Sequence, residues 1–258
     1  MKPTSLLSLA AILTITALTA CKGTLPPPPN IESGQQNPAS NITSAPTQVS
    51  SANASAIAGT INVKAEVWAD NWFAFYLSDQ LVKEDSVSIT TERSFNSETF
   101  TFNASYPLTL NFIAKDFKEN DTGLEYIGTN RQQMGDGGFI AQFTNADTGE
   151  LIAVTNSNWT CTVVHEAPLD KSCERESNPI AGQGPCGFTL LEEPVGWKDT
   201  SFDISTWSNA TIYTADQVGP KDGYNDISWN PSAQFIWGPD LETNNTILCK
   251  LTVSAPTP

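Results

Sequence analysis

From about residue 60 onward, the chain alternates short stretches rich in Val, Ile, Thr, Phe, Trp and Tyr with clusters of Asn, Asp, Gly and Pro. That texture predicts strands joined by turns. The strands are expected near 60–68, 71–78, 97–104, 107–114, 138–145, 150–156, 159–165, 187–192, 233–237 and 245–253. In Thr99-Phe100-Thr101-Phe102 and Leu108-Thr109-Leu110-Asn111-Phe112 the apolar side chains recur at every second position, as in a sheet that is dry on one side only. Asn145-Ala146-Asp147-Thr148-Gly149 reads as a tight hairpin connection with Gly149 at positive φ. No amphipathic helical run of useful length occurs. The economical solution is an all-β, two-sheet antiparallel sandwich over residues 60–258.

The region before residue 60 has a different pattern. Lys2 precedes an apolar run from Leu6 to Leu18, too short to span a bilayer comfortably, and the run ends in Leu18-Thr19-Ala20-Cys21. This resembles a bacterial lipoprotein signal peptide with its lipobox. The resemblance implies cleavage after residue 20, a diacylglycerol on the Cys21 sulfur and a further acyl chain on its amine, hence membrane attachment through lipid. Lys22 after the acylated position points to the outer membrane of a bacterial cell envelope. Residues 21–59 hold Pro26 to Pro29 in a row, many Ser, Thr, Asn, Ala and Gln, and no aromatic residue. They cannot build a core and read as an extended, disordered tether.

Thirteen Lys and Arg against 28 Asp and Glu give a formal charge of −15, with no basic cluster, which argues against nucleic acid as a partner. Four cysteines remain once Cys21 is assigned to lipid. An even number in an exported chain argues for two disulfides. Of the three pairings, Cys173 with Cys186 would close a Gly- and Pro-containing loop, and Cys161 with Cys249 would join two strands distant in sequence.

Three segments carry a second resemblance. Ala69-Asp70-Asn71-Trp72-Phe73-Ala74-Phe75-Tyr76-Leu77-Ser78-Asp79-Gln80-Leu81-Val82 is the first. The second runs from Asp136-Gly137-Gly138-Phe139 through Asp147-Thr148-Gly149 to Val154-Thr155-Asn156-Ser157-Asn158-Trp159. The third is Gly196-Trp197-Lys198-Asp199-Thr200-Ser201-Phe202-Asp203-Ile204-Ser205-Thr206-Trp207. In this order they resemble the lectin-like domain of bacterial α-L-rhamnosidases, a galactose-binding-domain-like jelly roll. The resemblance implies a jelly-roll sandwich and a sugar-binding function. The sequence departs from the pattern at Ser78-Asp79 and Ile204, and no catalytic barrel follows. By themselves the aromatics of these segments read as core, and Asp203 as a turn cap.

Catalytic constellations are sparse. His165 is the single histidine, with no partner identifiable from the sequence, and no Gly-x-Ser-x-Gly elbow, His-Glu-x-x-His or Walker loop is present. Gly182-Gln183-Gly184-Pro185-Cys186-Gly187 fits Gly-x-Gly-x-x-Gly, yet a loop closed by a disulfide offers no helix to hold a pyrophosphate. Polar glycine-rich loops are the remaining candidates for a ligand site. One of the loops 128–138 and 218–226 is expected to contribute to a ligand site, with Arg131 and Asp136 or Asp222 hydrogen-bonding a polar ligand, Lys221 as a further candidate and Tyr224 offering a stacking face. Alternatively Asp136, Asp222 and Asp226 form turns or hold a structural calcium. The expectation is a non-enzymatic, lipid-anchored binding module for carbohydrate or another polar ligand, with no cofactor beyond such a calcium. A surface protein binding copper or calcium is the alternative, although copper normally wants more soft ligands than His165, Met1 and Met134. A small glycoside hydrolase is the second alternative.

Overall fold

A computed structural model describes residues 59–90 and 96–257, so the expected signal peptide, the lipidated Cys21 and nearly all of the tether lie outside the described residues. The first strands are β1 (Ile61–Asp70), β2 (Trp72–Leu77), β3 (Gln80–Glu84), β4 (Ser97–Ala104) and β5 (Leu108–Lys115). Two short strands, β6 (Leu124–Glu125) and β7 (Gln133–Met134), pair with each other before β8 (Gly138–Asn145), β9 (Leu151–Val154) and β10 (Thr160–Glu166). Then come β11 (Thr189–Leu190), β12 (Ser208–Asn209), β13 (Thr211–Tyr213), β14 (Phe235–Trp237) and β15 (Asn244–Val253).

One sheet runs in the order β13-β14-β8-β1-β4, with β9 beside β8. The other runs β11-β10-β15-β5-β2-β3, with β12 beside β10. The strand pairs in both are antiparallel, and the two sheets pack face to face as an all-β sandwich. Alternation sets which face is which: Val63, Ala65, Val67 and Ala69 of β1 point inward to meet Phe73, Phe75 and Phe112 from the opposite sheet. Phe112 is the centre of this layer. Its ring centroid lies 5.0 Å from those of Phe75 and Phe139, and 5.6 Å from that of Trp159. The 145–149 hairpin forms as expected, with Gly149 at φ 74° and its N–H on the Asn145 carbonyl.

Both disulfides form with the expected partners. Cys161 and Cys249 face each other across β10 and β15, and Cys173–Cys186 closes the loop that holds the Gly-x-Gly-x-x-Gly match.

One expectation is corrected. β4 is wet on its outer face, but every residue of β5 from Leu108 to Ala114 is buried. The segment 196–207 lies across the outer face of the second sheet and packs Trp197, Phe202 and Trp207 against Trp72, Ala74, Ile113, Val164 and Leu248. Polar anchors hold it there. Asn111 Nδ2 donates to the carbonyls of Ser78 and Lys198, and the buried Lys250 ammonium donates to those of Trp197 and Asp199. The first sheet is covered in the same way by residues 218–235, through Trp68, Ile140, Val218 and Phe235. Of the aromatics expected as core, Trp72, Phe73, Phe75 and Trp197 are buried, while Tyr76, Phe202 and Trp207 are half-buried, and the packing forms three layers where period two alone predicts one. Asp203 caps its turn by accepting from Ser205 N–H, as expected.

Candidate metal centre

Three strand ends converge at one end of the sandwich. Asp70 is the last residue of β1, Asp116 follows β5, and Asp136 lies between β7 and β8. The backbone fixes this meeting: Asn71 N–H bonds the Lys115 carbonyl, Asp116 N–H bonds the Asn245 carbonyl, and Phe117 N–H bonds Asn71 Oδ1 at 2.6 Å. Gly135 completes the approach. A Cβ there would stand 1.7 Å from Asp116 Oδ2, so only glycine lets the 133–138 segment pass over that carboxylate.

One carboxylate oxygen from each of Asp70, Asp116 and Asp136 lies within 4.8 Å of the others. Asp70 is fully buried and Asp116 is 3% exposed, and none of their four side-chain oxygens has a hydrogen-bond partner. Burial and the charge of Asp136 push the Asp70 carboxyl well above the ordinary carboxylate range; burial and Asp70 do the same to Asp116. Burial also raises Asp136, against the pull of Lys221, whose Nζ lies 3.6 Å from Asp136 Oδ2. The buried Glu125 adds a fourth negative charge that raises both Asp70 and Asp116.

Unsatisfied buried oxygens are costly, and adjacent buried carboxylates are more so. Two species relieve such a cluster: protons, or a cation. The donors are hard oxygens only, from three backbone segments already held in register. That set suits Ca²⁺, which takes carboxylates and carbonyls at irregular geometry, rather than copper, which favours imidazole and sulfur.

The sequence-derived site residues separate in space. Asp136 and Lys221 belong to the cluster. Asp222 is exposed, and its contribution is a backbone carbonyl that accepts from Trp68 Nε1. Asp222 and Asp226 lie outside the group of converging carboxylates, so of the three acids considered for a structural calcium only Asp136 joins Asp70 and Asp116 there. Tyr224 is half-buried and stacks on Trp229, with Trp68 and Phe235 on its other sides, so its ring packs against the protein where a stacking face for ligand was expected. Arg131 is exposed with its guanidinium 3.8 Å above the Tyr126 ring, on the loop joining β6 and β7. Sequence reasoning missed Asp70 and Asp116. Their signal was an acid set inside apolar strand ends, Val67-Trp68-Ala69-Asp70 and Phe112-Ile113-Ala114-Lys115-Asp116.

Two clefts flank the cluster. One of 670 Å³ has Asp116, Lys115, Thr246, His165 and Leu190 in its wall, and one of 580 Å³ includes Asp136, Lys171, Asp240 and Tyr213. His165 does have a neighbour that the sequence could not reveal. Its Nε2 lies 3.2 Å from Asp121 Oδ1, at ion-pair distance though without hydrogen-bond geometry, while Asp121 is engaged by Lys118 at 2.7 Å. Burial pushes the imidazole below its ordinary pKa, disfavouring the charged form. The residue is only 2% exposed, in the wall of the first cleft. No protein-family model, curated protein or solved structure matches this chain.

Proposed function

We propose that the chain is a lipid-anchored envelope protein whose sandwich is a non-catalytic binding module built around a divalent cation, most simply Ca²⁺. The observation that carries the cation is the pair of buried carboxylates, Asp70 and Asp116, facing each other with all four oxygens lacking hydrogen-bond donors. Their burial also supports the non-catalytic reading, since a general acid or nucleophile must touch its substrate. The ligand class is a glycan or another polar surface ligand, supported by the resemblance of the three motif segments to a lectin-like domain and by the polar cleft on the Asp136 side of the cluster. Attachment to a bacterial outer membrane through acylated Cys21 rests on the lipobox. Among the described residues no helix is long and apolar enough to cross a membrane.

Calcium titration of the EDTA-stripped protein by calorimetry, with elemental analysis of the protein as purified, tests the cation. About one calcium per chain is expected; stoichiometric copper, or no binding of any divalent ion, overturns it. Glycan-array screening tests the ligand class, which is discarded if no polysaccharide is retained.

A further inference from the structure

Lys221 stands in an unusual relation to the carboxylate cluster. Its backbone is fixed on both sides. Val218 is buried against the outer face of the first sheet, and Gly219 ends the short helix Ala215–Val218 in the left-handed conformation. On the far side the Asp222 carbonyl accepts from Trp68 Nε1 at 2.9 Å, and Gly223 presses on the backbone at Asn96 and Ser97, where a Cβ would meet Ser97 N at 2.5 Å. The side chain, by contrast, is 49% exposed. Four methylenes let the ammonium swing while its Cα stays put. The ammonium faces Asp136 directly, and its field also reaches Asp70. Asp222 and Asp226, both exposed, are the acids on its own loop, and Glu125 and Asp116 complete the negative side.

We infer that Lys221 is a tethered counter-ion that competes with the divalent cation for the Asp136 and Asp70 carboxylates, setting the affinity of the site and signalling its occupancy by where the ammonium points. This rests on the cation reading above. In the cation-free protein Lys221 supplies one positive charge to an over-acidic cluster. A dication among the same oxygens repels that ammonium at close range and takes over its partner, so the side chain turns out into solvent. The tether keeps it nearby, ready to return when the cation leaves.

The experiment titrates Ca²⁺ into the EDTA-stripped full mature chain and into K221M, and measures acetylation of Lys221 by an N-hydroxysuccinimide ester with and without Ca²⁺, using Lys64 on β1 as internal reference. K221M keeps the aliphatic stem and removes only the charge. Loss of an exposed ion-pair competitor should tighten Ca²⁺ binding about two- to fivefold. Lys221 should acetylate faster in the calcium-loaded protein while Lys64 does not change. Calcium binding to the wild type with the same affinity in K221M and no change in Lys221 labelling overturns the inference and leaves the cation reading intact. No calcium binding in the wild type overturns both.

Discussion

Asp116→Asn separates a cation site from a proton-filled cluster by the sign of its effect. In the cation-free protein the Asp116 side chain is nearly sealed, neither oxygen receives a donor, and Asp70 lies opposite. Asn has almost the same shape, carries no charge and brings two N–H donors toward oxygens that have none. Relief of one buried like-charge contact and satisfaction of one acceptor should stabilise the EDTA-treated protein by about 1–3 kcal/mol. For a domain of this size that is roughly 2–4 °C per kcal/mol, a rise of several degrees. With calcium present the order reverses. A wild-type site at a hundred times its Kd gains about 2.7 kcal/mol, or roughly 5–11 °C, by mass action. The Asn variant, short of one anionic ligand, should gain almost none. Thermal melts of both proteins in EDTA and in millimolar calcium read the four corners of this cycle. Equal calcium shifts in the two proteins, or an Asn variant less stable than wild type in EDTA, would refute the argument.

Other expectations follow from the rest of the fold. Asp85 is buried and its carboxyl is raised to about 6, mainly by burial, so the folded state holds its proton more tightly than the unfolded chain. Its contribution is favourable below the unfolded value near 3.8 and is lost as pH rises through about 6. Asp85→Asn should flatten the stability profile between pH 4 and 6 and raise stability at pH 7 by about 1 kcal/mol after solvent screening is allowed for, measured by urea melts across that window. The Cys161–Cys249 bridge closes 88 residues, so replacing both by Ala should lower stability by about 4 kcal/mol, read in denaturant, while retaining the β-rich circular dichroism. Lys250→Met removes the ammonium that bonds the Trp197 and Asp199 carbonyls; an increased rate of proteolysis within 193–207 is expected, with about 1–3 kcal/mol lost. Unchanged cleavage would mean the aromatic packing of that segment suffices alone.

The strands were legible because their signal is local. Period-two alternation in β1 and β4, the Gly149 turn and the even cysteine count each require only neighbouring residues or simple pairing logic. The short strands β6, β7, β12 and β13 were not legible, since two or three residues carry no period and are defined by the partner they meet. The same holds for the outer layers. The aromatics of Gly196 to Trp207 say that the segment packs inward, but not that it lies across Ile113 and Leu248, because the acceptors for Asn111 and Lys250 are backbone carbonyls that any sequence possesses.

For the site the division is sharper. Composition and polar loops brought out Asp136 and Lys221, two members of the final cluster, together with Asp222 and Tyr224, which serve the packing of their own loop. The sequence alone determined that there would be a two-layered, disulfide-stapled sandwich with too much negative charge. Which carboxylates are forced together was decided only by the tertiary structure: Asp70, Asp116 and Asp136 are separated by 46 and 20 positions along the chain, and register in two ladders plus one close glycine contact delivers them to a common point. Electrostatic repulsion among buried charges depends on distance through space, a quantity that strand patterning does not contain.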